Sequence, residues 1–289
     1  FEGLRKKIYL KRYKKLCKLK EKPHMDNFID ERDFKILEAD KCTFFMLTRI
    51  MNRNCELLLS DHSRMIICYS QSPFPVWLWT TDNATPEEME NAYKLSVEHD
   101  FLDGNHNINM KYELAEYFIQ RATNEGKKLS ILKNMYAYDC PKLVDEAKLT
   151  KVDGELHLCS LDDLEAFTNF KENFHTELKF DITDRASYRR ASQALIEEGH
   201  SYLWKNAEGK YVSSCAFRVV NNMASLSLVY TLKDFRRKHY AENLVYQVTK
   251  VAAEKGYLPM LYADADYKAS NACYVKIGYI LRGKLCTIG

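Results

Sequence analysis

Between Ser201 and Lys255 the apolar period changes once, and that change limits the folds open to this chain. Three stretches, Ser201–Lys205, Tyr211–Val219 and Ala224–Leu232, are rich in β-branched and aromatic residues and are separated by the turn segments NAEGK and VNN. That pattern reads as a three-stranded meander. The next stretch, Ala241–Lys255, carries Leu244, Val245, Val248, Val251 and Ala252 at helical spacing and ends at Gly256, so a helix packs one apolar stripe back onto the strands. Pro259 then opens a short strand, MLYAD, a short helix at Ser270–Ile277 meets Gly278, and a terminal strand closes the chain. Two helices precede the meander. Leu161–Phe174 places Leu161, Leu164, Phe167 and Phe170 on one face, and Ser187–Glu198 is capped by Asp184 and ended by Gly199. The second half is therefore an α/β (α+β) unit with a mixed sheet flanked by helices.

The first half is built from similar parts. Helices are expected at Arg5–Lys20 and Met25–Lys41, and strands at Phe44–Ile50, Glu56–Ser60, Met65–Gln71 and Val76–Thr81. Thr85-Pro86-Glu87-Glu88 supplies an N-cap, a first-turn proline and first-turn acids for a helix to His99. Lys111–Glu125 is a second helix, followed by strands at Lys128–Leu132 and Met135–Tyr138. The polar seam Asp139–Gly154 divides the chain, giving expected domains at 1–148 and 149–289.

With 289 residues, 46% of them hydrophobic, the chain can bury a sizeable core, and its net charge of +3 argues neither for nor against a nucleic-acid partner. Charge concentrates only at Arg5–Lys22, where Ile8, Leu10, Tyr13, Leu16, Cys17 and Leu19 recur near helical spacing between lysines. Such a basic amphipathic helix can lie on a membrane or an acidic partner, but a terminal helix docked on its own domain is the favoured reading. Nine cysteines lie scattered without a C-x-x-C pair, and five of them (Cys42, Cys68, Cys159, Cys215, Cys273) fall in apolar segments. Reduced thiols and a cytoplasmic location are expected. No apolar run reaches the ~18 residues of a membrane span, and no secretion signal is evident at the start given.

Metal chemistry has little to stand on. DGNHNINM, from Asp103, places Ile108 and Leu114 where a calcium loop needs glycine and glutamate, so a polar turn is expected there. The eight histidines show no H-x-x-x-H pairing.

Two motifs remain. Asp234–Leu244 reads DFRRKHYAENL, a basic knot at a helix start straight after the strand ending in Val229-Tyr230-Thr231. Free amides and a positive dipole end make any helix start a ready anion site, and Arg236 can add a charge-assisted bond. The tail Leu261–Tyr279, LYADADYKASNACYVKIGY, carries Asn271, Tyr274 and Gly278-Tyr279. It closely resembles the end of GNAT-family acetyltransferases, and beside it RRKHYA resembles that family's pyrophosphate loop, arginine-x-x-glycine-x-glycine-or-alanine. Arg236 and Ala241 fall on the pattern, and His239 stands where glycine is usual. The resemblance covers about Leu156 to the end.

It implies an acetyl-coenzyme A-dependent N-acetyltransferase that moves an acetyl group directly to a primary amine, on a small molecule more readily than on a protein. Val229 and Thr231 would offer main-chain groups to the acetyl-pantetheine arm. Arg236, Arg237, Lys238, His239, Tyr240 and Ala241 would form the pyrophosphate loop. Asn271 would bind the coenzyme arm, and Tyr274 would be the catalytic acid for the departing thiolate, since a phenol of pKa about 10 can re-protonate a thiolate of pKa about 8.5. No metal, nucleic acid or membrane span is implied. His239 either fills the space glycine leaves or turns aside and adds a donor. The alternative is a catalytically silent GNAT-like protein that only binds a ligand or partner. Glu172, Glu177 and His200 lie in segments that could reach the cleft, and each is read as an ordinary surface group. The first half, with neither motif, reads as a degenerate copy or accessory domain that forms a wall or lid for the acceptor pocket.

Overall fold

The computed structural model describes residues 24–178 and 183–289. The basic stretch Arg5–Lys22 lies outside them. The described chain forms two compact units, residues 24–132 with 287–289, and residues 133–286. This grouping places 133–148, the residues just ahead of the expected seam, with the second unit.

In the first unit α1 (Glu31–Leu37) starts at a capping box between Asp30 and Asp33. The helix expected over Met25–Lys41 is thus much shorter, because the cap fixes its start at Asp30 and a 3-10 turn, Glu38–Asp40, ends it. The strand expected at Phe44–Ile50 is a helix, α2 (Phe45–Met51), with Phe45, Leu47 and Met51 buried. A short apolar run carries no period that separates the two states, and tertiary burial decides. β1 (Leu57–Ser60), β2 (Met65–Tyr69) and β3 (Val76–Thr80) form an antiparallel meander. α3 (Pro86–Glu98) begins at the Thr85 capping box. β4 (Ile108–Met110) runs parallel to β3 and is wholly buried, so the expected polar turn ends in a core strand. α4 is Tyr112–Asn124. One strand, β5 (Ile131–Asp139), replaces the two short ones expected there.

From Lys133 onward β5 belongs to the second unit, pairing antiparallel with the strand that ends at Asp264. The unit continues with β6 (Glu155–Leu158), unforeseen in the sequence, then α5 (Leu164–Glu177) and α6 (Arg185–Glu197), capped by Asp184. The meander follows as β7 (Ser201–Lys205), β8 (Tyr211–Val220) and β9 (Met223–Thr231). α7 (Tyr240–Glu254), β10 (Leu258–Asp264), α8 (Lys268–Ile277) and β11 (Ile280–Ile288) complete it. β6 to β9 pair antiparallel, and β10 lies parallel to β9. The apolar stripe of α7 packs with Phe217, Leu226, Leu261, Tyr274 and Ile277. A separate cluster joins Phe167 and Phe170 of α5 and Leu195 and Ile196 of α6 to Leu203, Ala216 and Leu228.

Both units follow one recipe: two helices, three antiparallel strands, a helix, a strand parallel to the third, and another helix. The chain's last residues return to the first unit. There Ser130 and Gly289 exchange backbone hydrogen bonds (3.1 and 3.2 Å), and the Thr287 hydroxyl donates to Asn109 Oδ1 (2.7 Å).

Candidate functional site

The site begins where two strands part. β9 and β10 pair over Met223–Leu226 and Leu258–Leu261. Past that point β10 stays with β5 as far as Asp264↔Met135, while β9 stays with β8 as far as Thr231↔Ser213. A wedge opens between them, and its cause lies in β9. The β8–β9 register shifts between the Ser214 and Ala216 pairings, and Leu228 there takes φ 54°. Such a bulge bends the strand and raises its twist. Serine hydroxyls stitch it down: Ser214 donates to the Leu228 carbonyl (2.8 Å) and Ser213 to that of Tyr230 (2.9 Å). The Leu232 N–H donates to Val212 O, which puts residues 230 and 232 on the β8 side of the strand. By alternation the main chains of Val229 and Thr231 face the other edge, into the wedge.

Beyond β9 a 3-10 turn, Lys233–Phe235, leads into the basic loop. Arg236 is extended, whereas Arg237 (φ 59°) and His239 (φ 62°, ψ 10°) are left-handed. His239 therefore adopts the backbone a glycine would supply, at a cost of about 1–2 kcal/mol. Its ring has turned aside: Nδ1 lies 3.0 Å from Glu242 Oε2. Glu242 is buried and also meets the ammonium of Lys276 (2.7 Å) and the Thr150 N–H (3.3 Å). Burial works against its charge, but those hydrogen bonds outweigh it and hold the carboxyl below its usual range. The Tyr240 hydroxyl donates to Asp153 (2.5 Å), which with burial pushes the phenol up to about 12. Lys238 lies over the Phe235 ring (5.2 Å). Within α7 the Asn243 N–H reaches back to the His239 carbonyl, so the amides of Tyr240, Ala241 and Glu242 precede the helical ladder.

Arg236 is held differently from the sequence expectation. Its Nε donates to the Thr231 carbonyl (2.9 Å), a terminal nitrogen pairs with Glu177 (2.6 Å), and the guanidinium lies over the Tyr230 ring (5.3 Å). One main-chain group expected to meet the coenzyme arm is thereby shared with an arginine. Of the three residues read as ordinary surface groups in segments that could reach the cleft, Glu177 meets the loop. Glu172 pairs with Arg185, and His200 stacks on Phe217 at 4.2 Å.

Asn271 is occupied by the fold. Its amide nitrogen donates to the carbonyls of Asp264 (2.8 Å) and Tyr267 (3.0 Å), and its oxygen accepts from the Tyr138 hydroxyl (3.0 Å). Those bonds lock the end of β10 to the start of α8. Tyr274 is buried, its ring centroid 6.3 Å from that of Tyr138 and 5.9 Å from that of Tyr279. Burial pushes its phenol far above its ordinary value, so the group keeps its proton.

The equivalent helix of the first unit, α3, opens with Glu87 and Glu88, the latter paired to Arg64. Carboxylates at that end oppose an anion, which agrees with the missing phosphate motif there. Among the described residues Asp30, Asp33 and His62 are close enough to share a cation. All three already have partners: His62 Nδ1 meets Asp33 (2.8 Å), His62 Nε2 meets Asp26 (3.1 Å), and Asp30 meets Arg32 (2.6 Å). Among the described residues no helix is long and apolar enough to cross a membrane.

An acetyltransferase of the GNAT family from Colwellia psychrerythraea superposes with a TM-score of 0.54 at 12% identity, over 92% of this chain and 98% of that one. A GCN5-related N-acetyltransferase from Sphaerobacter thermophilus gives 0.64 at 11% identity over 84% of each chain. Another from Kribbella flavida gives 0.56 at 14% identity over 87% and 94%. The chain thus has the GNAT acetyltransferase fold over most of its length. More narrowly, residues 207–288, from the turn before β8 to the end of β11, match the family model described as FR47-like protein. No curated protein matches the sequence.

Proposed function

We propose that the second unit is an acetyl-coenzyme A-dependent N-acetyltransferase that moves the acetyl group directly to a primary amine of a small molecule. The observation that carries this reading is the wedge between β9 and β10, with the basic helix start of α7 following β9. Val229 and Thr231 turn main-chain groups to the open edge, suited to an extended, amide-rich ligand. The left-handed Arg237 and His239 keep the loop on a glycine-like path, and the imidazole is drawn off toward Glu242. The amides of Tyr240, Ala241 and Glu242, with Arg237 and Lys238, then suit a diphosphate.

When bound, the coenzyme would supply an activated thioester acyl group. Tyr274 would hold a proton at its phenolic oxygen for the departing sulfur. Its raised pKa makes it a hydrogen-bond donor that never competes as an anion. Arg236 would join the diphosphate by exchanging its Glu177 partner.

A second reading, a GNAT-like protein that binds without catalysis, is favoured by the prior engagement of Arg236 by Glu177 and of Asn271 by the fold. Calorimetry with acetyl-coenzyme A, then transfer assays across small amines, separates the two. Binding together with turnover that falls about 100-fold in Tyr274→Phe supports catalysis. Binding without turnover on any amine supports the silent reading, and no binding at millimolar acyl-coenzyme A refutes the loop assignment.

A further inference from the structure

Two thiols in the first unit lie closer than unrelated side chains do. The Sγ atoms of Cys55 and Cys68 are 3.4 Å apart, across 13 positions of sequence. Cys68 sits on β2 opposite Leu58 and is wholly buried. Cys55 lies in the turn between α2 and β1, half-buried, its Sγ 3.1 Å from the Ile50 carbonyl. The ladder bond from Glu56 N–H to Ser70 O fixes the turn's exit one residue later. Closing the gap from 3.4 Å to a bond of about 2.05 Å takes about 1.4 Å of movement.

We propose that Cys55 and Cys68 form a reversible redox pair, in which Cys55 is the entry thiol for a hydroperoxide and Cys68 the resolving thiol. The roles follow from access. Cys55 is the half-buried member of the pair and so meets a hydroperoxide first, while Cys68 is wholly buried, and burial with the neighbouring sulfur raises its thiol far above the ordinary pKa. In the first step Cys55 Sγ attacks a peroxide oxygen, the O–O bond breaks, and the thiol proton leaves with the departing oxygen as water or alcohol. Cys55 is now a sulfenic acid. In the second step Cys68 Sγ attacks that sulfur, the S–O bond breaks, and the hydroxide leaves as water with the Cys68 proton. Two thiols have given two electrons to one peroxide. The disulfide ties the α2–β1 turn to the central strand of the meander, a modification independent of the coenzyme site.

The test uses the full chain, reduced, desalted and treated with hydrogen peroxide, then alkylated, digested and analysed by mass spectrometry. A Cys55–Cys68 linked peptide, two hydrogens lighter than the reduced pair and returned to free thiols by dithiothreitol, is the expected product. Cys68→Ala, checked by circular dichroism, should stop at the first step, so that a dimedone adduct on Cys55 exceeds that of the parent chain about tenfold. In Cys55→Ser, Cys68 should stay alkylatable. The proposal is overturned if, in the parent chain, Cys55 stays reduced or proceeds to sulfinic acid while Cys68 remains a free thiol. That readout does not depend on either variant folding.

Discussion

Replacing His239 by glycine and by alanine tests the loop's backbone directly. At φ 62° and ψ 10° His239 occupies a conformation that costs a side-chain-bearing residue about 1–2 kcal/mol. Glycine removes that cost, but its freedom in the unfolded chain takes back about 0.4–1 kcal/mol. Both variants lose the contact with Glu242; with the His239 side chain 45% exposed, that contact is worth at most about 0.5–1 kcal/mol. His239→Gly should therefore fold about as stably as the parent. His239→Ala keeps the strain and loses the contact, leaving it less stable than the glycine variant by about 1 kcal/mol. At ordinary backbone positions the order is the reverse, with alanine ahead of glycine by about 0.5–1 kcal/mol. Urea titrations at constant m-value read the difference as a shift in midpoint. Alanine equal to or above glycine would show that the loop does not turn left-handed at this residue, and the phosphate-loop reading would lose its backbone basis.

Three further outcomes can be checked alongside. Asn271→Ala should lose about 2 kcal/mol of stability by urea melt, because it strips a partner from the buried Tyr138 hydroxyl and frees two backbone carbonyls. A loss near zero would contradict its role as a lock between β10 and α8. Glu177→Gln should release Arg236 and tighten coenzyme A binding about two- to five-fold by calorimetry; weaker binding would mean the pair orders the loop. Asp163 gives a pH signature. Burial opposes its charge, but hydrogen bonds from Tyr211, His157 and Ser160 prevail and lower its carboxyl to about 2. A depressed carboxyl adds stability that is full above the unfolded value near about 4 and is lost as pH falls toward the folded one. Asp163→Asn should flatten the acid limb of stability between those values, and an unchanged limb would contradict the assignment.

Much of the fold could be read wherever local chemistry and period agree. Thr85 and Asp184 start the helices they were expected to cap, and the meander Ser201–Thr231 matches its alternation. Reading failed where tertiary burial overrides local preference. Phe45–Met51 is a short, mostly apolar run that folds as a helix, and Ile108–Met110 and Glu155–Leu158 are too short to show a period. The loop and the tail motif were legible as residues but not as contacts. Arg236 meets Glu177 59 positions away, and Tyr240 meets Asp153 87 positions away. Nothing local in the sequence marks such pairs. Nor does it mark the employment of Asn271 within the fold, which depends on where β10 ends.

The placement of residues 287–289 in the first unit bears on how the molecule is made. During synthesis residues 24–132 emerge well before residues 287–289 exist, so the Ser130–Gly289 backbone exchange and the Thr287–Asn109 bond must wait for those later residues. A nascent first unit is left with Ser130 and Asn109 temporarily solvated, and a fragment cut at residue 132 would stay so. Completion of the first unit is therefore timed by residues 287–289, made more than 150 positions after Leu132.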